Sequence, residues 1–109
     1  MNVYYNPEQY GLKVVMEFDD PDASYSFDKF VIWMRISDGE IFYGQDSGCS
    51  CPSPFENVSG VESLSRLGDM KSFRDEFISW GKSYFDAWTL ASIVEKVEVA
   101  KVYKSTLLL

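Results

Sequence analysis

The chain has 109 residues, of which 46% are apolar and 17% aromatic; it has no histidine and carries a net charge of −7. That is the size of one domain, residues 1–109, and its aromatic content excludes a disordered chain. No apolar run reaches the roughly 18–20 residues of a membrane span, and every mechanism that needs an imidazole is excluded.

Met1-Asn2-Val3-Tyr4-Tyr5 has no basic stretch followed by an apolar one, so no signal peptide is expected. Asn6 to Gly11 predicts one helical turn, capped by Asn6, opened by Pro7 and ended by Gly11. Leu12, Val14, Met16 and Phe18 then alternate with Lys13 and Glu17, which predicts a strand. Val15 is an apolar exception on its second face, and Asp19-Asp20-Pro21-Asp22 ends it.

Residues 27–36 predict a second strand and residues 40–46 a third, joined by Asp38-Gly39 as a two-residue hairpin loop. Such a loop pairs Ser37 with Glu40, Ile36 with Ile41, Arg35 with Phe42, Met34 with Tyr43 and Trp33 with Gly44. Residues 46–55 hold Gly48, Pro52 and Pro54 and are expected to form a compact loop. Residues 59–67 are ambiguous, although Ser59 and Glu62 match a capping box.

Residues 69–80 predict a helix with Met70, Phe73, Phe77 and Trp80 on one face and Gly81 just past its end. A second helix is expected over residues 86–104, with Leu90, Ile93, Val94, Val97 and Ala100 as its stripe. The β-branched residues of 96–103 leave a terminal strand as the alternative there. The expected fold is α+β: a small three-stranded antiparallel meander packed on one face by two helices.

Charge is unevenly placed. Residues 1–60 hold ten acids and three bases, whereas residues 61–109 hold seven of each. Direct binding to nucleic acid needs clustered lysine and arginine and is not expected; a membrane surface is disfavoured for the same reason. Cys49 and Cys51 are expected to be free thiols of a reducing cytoplasm. Structural zinc wants four ligands, and two thiols with Asp46 fall short, so neither metal nor cofactor is expected. Asp19, Asp20 and Asp22 fail the EF-hand spacing, because Tyr25 stands where glycine is required and Val31 where glutamate is. No phosphate-binding loop and no nucleophile–base motif is present, so the protein is not expected to be an enzyme.

Val15, Val31, Trp33 and Phe42 line the second face of the sheet. Either Tyr4-Tyr5 and the proline loop cover them, or they form a binding or dimer surface. The expected partner surface comprises these four residues with Asp19, Asp20 and Asp22 as steering charges. Cys49, Cys51, Pro52 and Pro54 are expected to form a structural loop that fastens the strand end to the body.

The string Asp46-Ser47-Gly48-Cys49-Ser50-Cys51-Pro52-Ser53-Pro54-Phe55-Glu56 and the lead-in Tyr5 to Leu12 resemble a family of small proteins from tailed phages of actinobacteria. The resemblance covers residues 4–58 and implies a phage origin and a life in the host cytoplasm; it carries over no functional residue. The expected function is a non-enzymatic phage accessory protein that binds a host protein, basic or itself nucleic-acid-binding. The alternative is a structural or accessory module, acting as a homodimer or within a phage assembly.

Overall fold

The computed structural model describes residues 2–23, 25–49 and 54–103. A single 3-10 turn, Pro7–Tyr10, leads into β1 (Leu12–Asp19), β2 (Ser26–Arg35) and β3 (Ile41–Cys49). A second 3-10 turn, Val61–Ser63, precedes β4 (Ser65–Arg66), α1 (Met70–Gly81) and α2 (Ala87–Tyr103). The strands form one antiparallel sheet in the order β1-β2-β3-β4. The class is α+β as expected, but the sheet has four strands rather than three. The fourth is two residues long, too short to announce itself by alternation.

The β2–β3 connection is longer than the two-residue loop. Met34 pairs with Ile41, Trp33 with Phe42, Ile32 with Tyr43 and Val31 with Gly44. Residues 36–39 form the loop: Gly39 N–H donates to the Arg35 carbonyl at 2.8 Å, and Arg35 N–H to the Glu40 carbonyl at 2.7 Å. The guanidinium of Arg35 grips both oxygens of Asp38, at 3.0 and 2.8 Å. This fork, absent from a two-residue turn, favours the longer loop. The register is therefore slipped by two residues from expectation, and an even slip leaves the paired residues of β2 and β3 on their expected faces; Ile36, expected opposite Ile41, instead falls in the loop and is exposed. Gly39 has φ +75°. Gly39→Val is expected to cost about 1–2 kcal/mol by placing a β-branched residue in the left-handed region, with Gly39→Asn retaining most of the stability. Urea unfolding of both variants checks this.

β1 departs from plain alternation. Val14 pairs with Trp33 but Met16 with Ile32, so Val15 is an extra residue, a bulge. The bulge moves Leu12 and Val14 to one face and Met16 and Phe18 to the other. Leu12 and Val14 thus lie with Trp33, not with Phe30 as strict alternation requires. Val15, the apolar exception, packs toward the helix side.

Two cores result. On the helix side Met16, Phe30, Ile32, Met34, Ile41 and Tyr43 meet Phe73, Phe77 and Trp80 of α1 and Leu90, Val94, Val97 and Ala100 of α2. Phe30 stacks edge-on against Phe73 and Phe77, with centroids 6.0 and 5.0 Å away. On the opposite side Val3, Leu12, Val31, Trp33, Phe42 and Phe55 form a smaller core.

The helices begin as their sequences predict. Asp69 accepts the N–H of Ser72 at 2.7 Å, and Asp86, just ahead of α2, accepts that of Thr89 at 2.7 Å. Gly81 is the last residue of α1 rather than a cap beyond it. A Cβ there would stand 2.5 Å from Leu90 Cδ2, so the glycine serves the close approach of the two helices. α2 runs unbroken to Tyr103, and the terminal strand does not form.

The backbone N–H bonds hold the carboxyls of Asp69 and Asp86 below their ordinary value of 3.8. Each therefore adds stability that is complete above pH 3.8 and lost as the pH falls through the lowered values. Replacing both by asparagine is expected to flatten the loss of stability between neutral pH and pH values below 3.8. Urea midpoints of the two proteins at those pH values measure it.

Candidate functional site

Trp33, Phe42 and Val31, expected on a partner surface, are interior: Trp33 and Val31 are 0% exposed and Phe42 4%. The cover is the one the sequence offered as the alternative. Asn2 turns the N-terminal segment by accepting the N–H groups of Tyr4 and Tyr5 at 2.9 and 2.8 Å. Val3 then lies on the sheet, its N–H donating to the Val58 carbonyl at 3.1 Å. Its carbonyl accepts the Trp33 indole N–H at 3.0 Å. Phe55 closes the other side, edge-on to Trp33 with centroids 5.2 Å apart. Trp33 does cover Gly44, but diagonally; a Cβ on Gly44 would meet Leu64, Phe55 and Trp33 at 3.3, 3.5 and 3.8 Å. Val15 is half-buried against the helix-side core.

The aspartates after β1 are occupied locally. Asp19 accepts the N–H groups of Asp20 and Asp28 and the Lys29 ammonium, the last at 2.9 Å. Asp20 accepts the N–H of Asp22 at 2.9 Å, which shapes the turn, and Asp22 is exposed. Lys29 also reaches Glu17 at 3.4 Å and lies 5.5 Å from the Tyr4 ring centroid. Burial alone would raise the Asp19 carboxyl and lower the Lys29 ammonium. Their mutual hydrogen bond prevails, aided by backbone N–H groups at Asp19, so Asp19 sits below and Lys29 above its ordinary value.

Part of the proline loop lies outside the described residues, namely Ser50, Cys51, Pro52, Ser53 and the side chain of Cys49. Cys49 ends β3, Pro54 is buried, and Asp46 ties the loop's return to the strand. Its carboxylate accepts the N–H of Ser47 at 3.0 Å and of Phe55 at 2.8 Å. Phe55 pays for this position with φ +58°, a left-handed conformation rare for a bulky residue.

Where β4 stops, a groove begins. β4 pairs with β3 only at Phe42 and Tyr43, and among the described residues no strand pairs with the outer side of β3, the side away from β2, from Gly44 to Cys49. A cavity of about 450 Å³ straddles this edge. Tyr43, Gln45 and Glu76 of α1 line it toward the helices, and Asp46, Glu56 and Asn57 toward the returning loop. Among the described residues it holds three carboxylates and no lysine or arginine. Burial, and then the charges of Glu76 and Asp69, push the Tyr43 phenol above its ordinary value, a sign of negative potential along this wall. Among the described residues no three cysteine or carboxylate side chains converge as a metal site. What the groove offers is a line of backbone polar groups between carboxylates, suited to an extended cationic chain.

Sequence reasoning missed this site because it ended the third strand at Asp46. One signal was present. The second strand as read from the sequence, 27–36, has ten residues against seven for the third, so its first residues need partners beyond Asp46, which β3 supplies as far as Cys49. Among the described residues no helix is long and apolar enough to cross a membrane. No curated protein and no solved structure matches the chain. A domain of unknown function, DUF7574, matches residues 1–105, nearly the whole chain. By that match the protein belongs to the DUF7574 family.

Proposed function

We propose that this protein is a non-enzymatic interaction module that holds a basic partner protein at the groove beside β3. The observation that carries this reading is the groove's composition: Asp46, Glu56 and Glu76 line it, with no basic residue among the described residues of its wall. Charges of one sign in a concave site raise the local concentration of an oppositely charged partner and speed its approach. The phage resemblance of residues 46–56 supports a host protein as that partner. The test is capture from host extract with two baits, the native protein and Glu56→Lys/Glu76→Lys. Basic proteins retained by the first and lost by the second, with retention falling as salt rises, are expected. Identical captures by both baits contradict the reading.

A second reading, a component of a larger assembly, has one observation of its own. Trp88, Val102 and Tyr103 of α2 are 83%, 68% and 73% exposed. Sedimentation at rising concentration tests it; a mass that stays that of one chain contradicts self-assembly.

A further inference from the structure

We infer that the partner enters the groove as an extended segment and joins the sheet as an added strand along β3, carrying lysine or arginine on both of its faces. The inference rests on the reading of the groove as a basic-partner site and specifies how that partner is held.

The backbone pattern decides which groups face outward. The hydrogen bond from Arg35 N–H to the Glu40 carbonyl makes that pair a bonded one. Bonded and non-bonded pairs alternate along an antiparallel ladder. Phe42, Gly44, Asp46 and Gly48 therefore bond back to β2, while Ile41, Tyr43, Gln45 and Ser47 turn their N–H and C=O groups outward. The bond from Leu67 N–H to the Ile41 carbonyl, 2.8 Å, agrees with this. β4 occupies Ile41 and Tyr43, and Gln45 is the next position in line. The N–H of Ser47 is accepted by Asp46. Both polar groups of Gln45 and the carbonyl of Ser47 thus face the groove. The chain ahead of β4 is already in a 3-10 turn at Val61–Ser63, so an incoming strand would continue the line of β4.

The two edges of the sheet differ in protection. β1 carries a bulge at Val15 and a lysine at position 13, both common ways of blocking strand addition. Residues 44–49 have neither a bulge nor a lysine or proline. Six residues at about 3.3 Å each make an edge of about 20 Å. Side chains of an added strand point alternately to its two faces. Those on one face approach Glu76 and those on the other approach Glu56, which is why both faces need cations. A second copy of this chain is the poorer occupant, because its own Asp46, Glu56 and Glu76 would meet theirs.

The probe is an alternating lysine–threonine peptide, which any pairing register presents as cationic, titrated into the full chain by NMR. Three comparisons go with it: the same peptide with alternate amides N-methylated, the protein variant Gln45→Pro, and the variant Glu56→Gln/Glu76→Gln. Proline on an edge position with an outward N–H is tolerated by a sheet. The parent peptide is expected to slow hydrogen exchange of the Gln45 amide. N-methylation, which keeps the charge, is expected to weaken binding about tenfold by removing one or two net hydrogen bonds, and Gln45→Pro to weaken it similarly. If the N-methylated peptide binds as well as its parent and Glu56→Gln/Glu76→Gln weakens both, strand addition is overturned and the acidic-groove reading stands. If removing the carboxylates leaves binding unchanged, both fail. No binding of the parent peptide, or protection of Gln45 that grows with protein concentration alone, also overturns the inference.

Discussion

Trp33→Ala is expected to destabilise the domain by about 3–5 kcal/mol, the range for deleting a buried large aromatic side chain. Trp33 is fully buried, and its ring is the centre of the core on the sheet face away from the helices. The substitution also removes the donor that pins the Val3 carbonyl, so the N-terminal segment loses its anchor together with its packing surface. Domains of this kind are stable by only about 5–15 kcal/mol, so the variant should stand near the limit of folding. Urea unfolding followed by fluorescence measures the loss. A change within about 0.5 kcal/mol, typical of surface positions, would mean that Trp33 is not covered. Any loss of partner binding in this variant is then expected to follow its loss of folded protein.

Asp28→Ala should cost less, about 2 kcal/mol, the scale of hydrogen bonds to a charged group. Asp28 stands near the start of β2 and accepts the Trp80 indole N–H at 2.9 Å and the Tyr84 hydroxyl. These two bonds fasten the end of α1 and the turn after it to the sheet. Without the carboxylate the mostly buried indole N–H of Trp80 loses its acceptor, which is the costly half of the change. Asp28→Asn keeps an acceptor and is expected to lose roughly half as much. The same contact has a pH signature. The hydrogen bond to Asp28, with burial and nearby aspartates, pushes the Tyr84 phenol from 10.0 up to about 12. A raised value means stability that is complete below pH 10 and lost as the pH climbs toward 12. Asp28→Ala should remove the largest part of that alkaline dependence, which urea midpoints at neutral and alkaline pH would show.

Most of the helical half was legible because its signals are local. Asp69 and Asp86 cap the helices they precede, and Phe73, Phe77 and Trp80 recur at helical spacing on the buried face. Face assignment in β2 and β3 survived a wrong loop length only because the error was even. In β1 it did not survive, since the single extra residue Val15 inverts everything before it. An apolar residue out of step was the visible mark of that bulge. The expected partner surface failed for a different reason: exposure depends on distant segments. Nothing near Trp33 in sequence tells that Val3 and Phe55 lie against it. The groove was illegible on the same ground, because a strand edge is free or covered according to where the chain goes some twenty residues later, at Leu64 and β4.

An open outer edge on β3 is what a docking strand requires, and hydrogen exchange of the free protein, read amide by amide, measures it directly. Gly44 and Asp46 donate inward to β2 and should exchange slowly, whereas Gln45 between them should exchange faster by about two orders of magnitude or more. A Gln45 amide as protected as its two neighbours would mean that the edge is already covered and that the groove beside it is not where a partner docks.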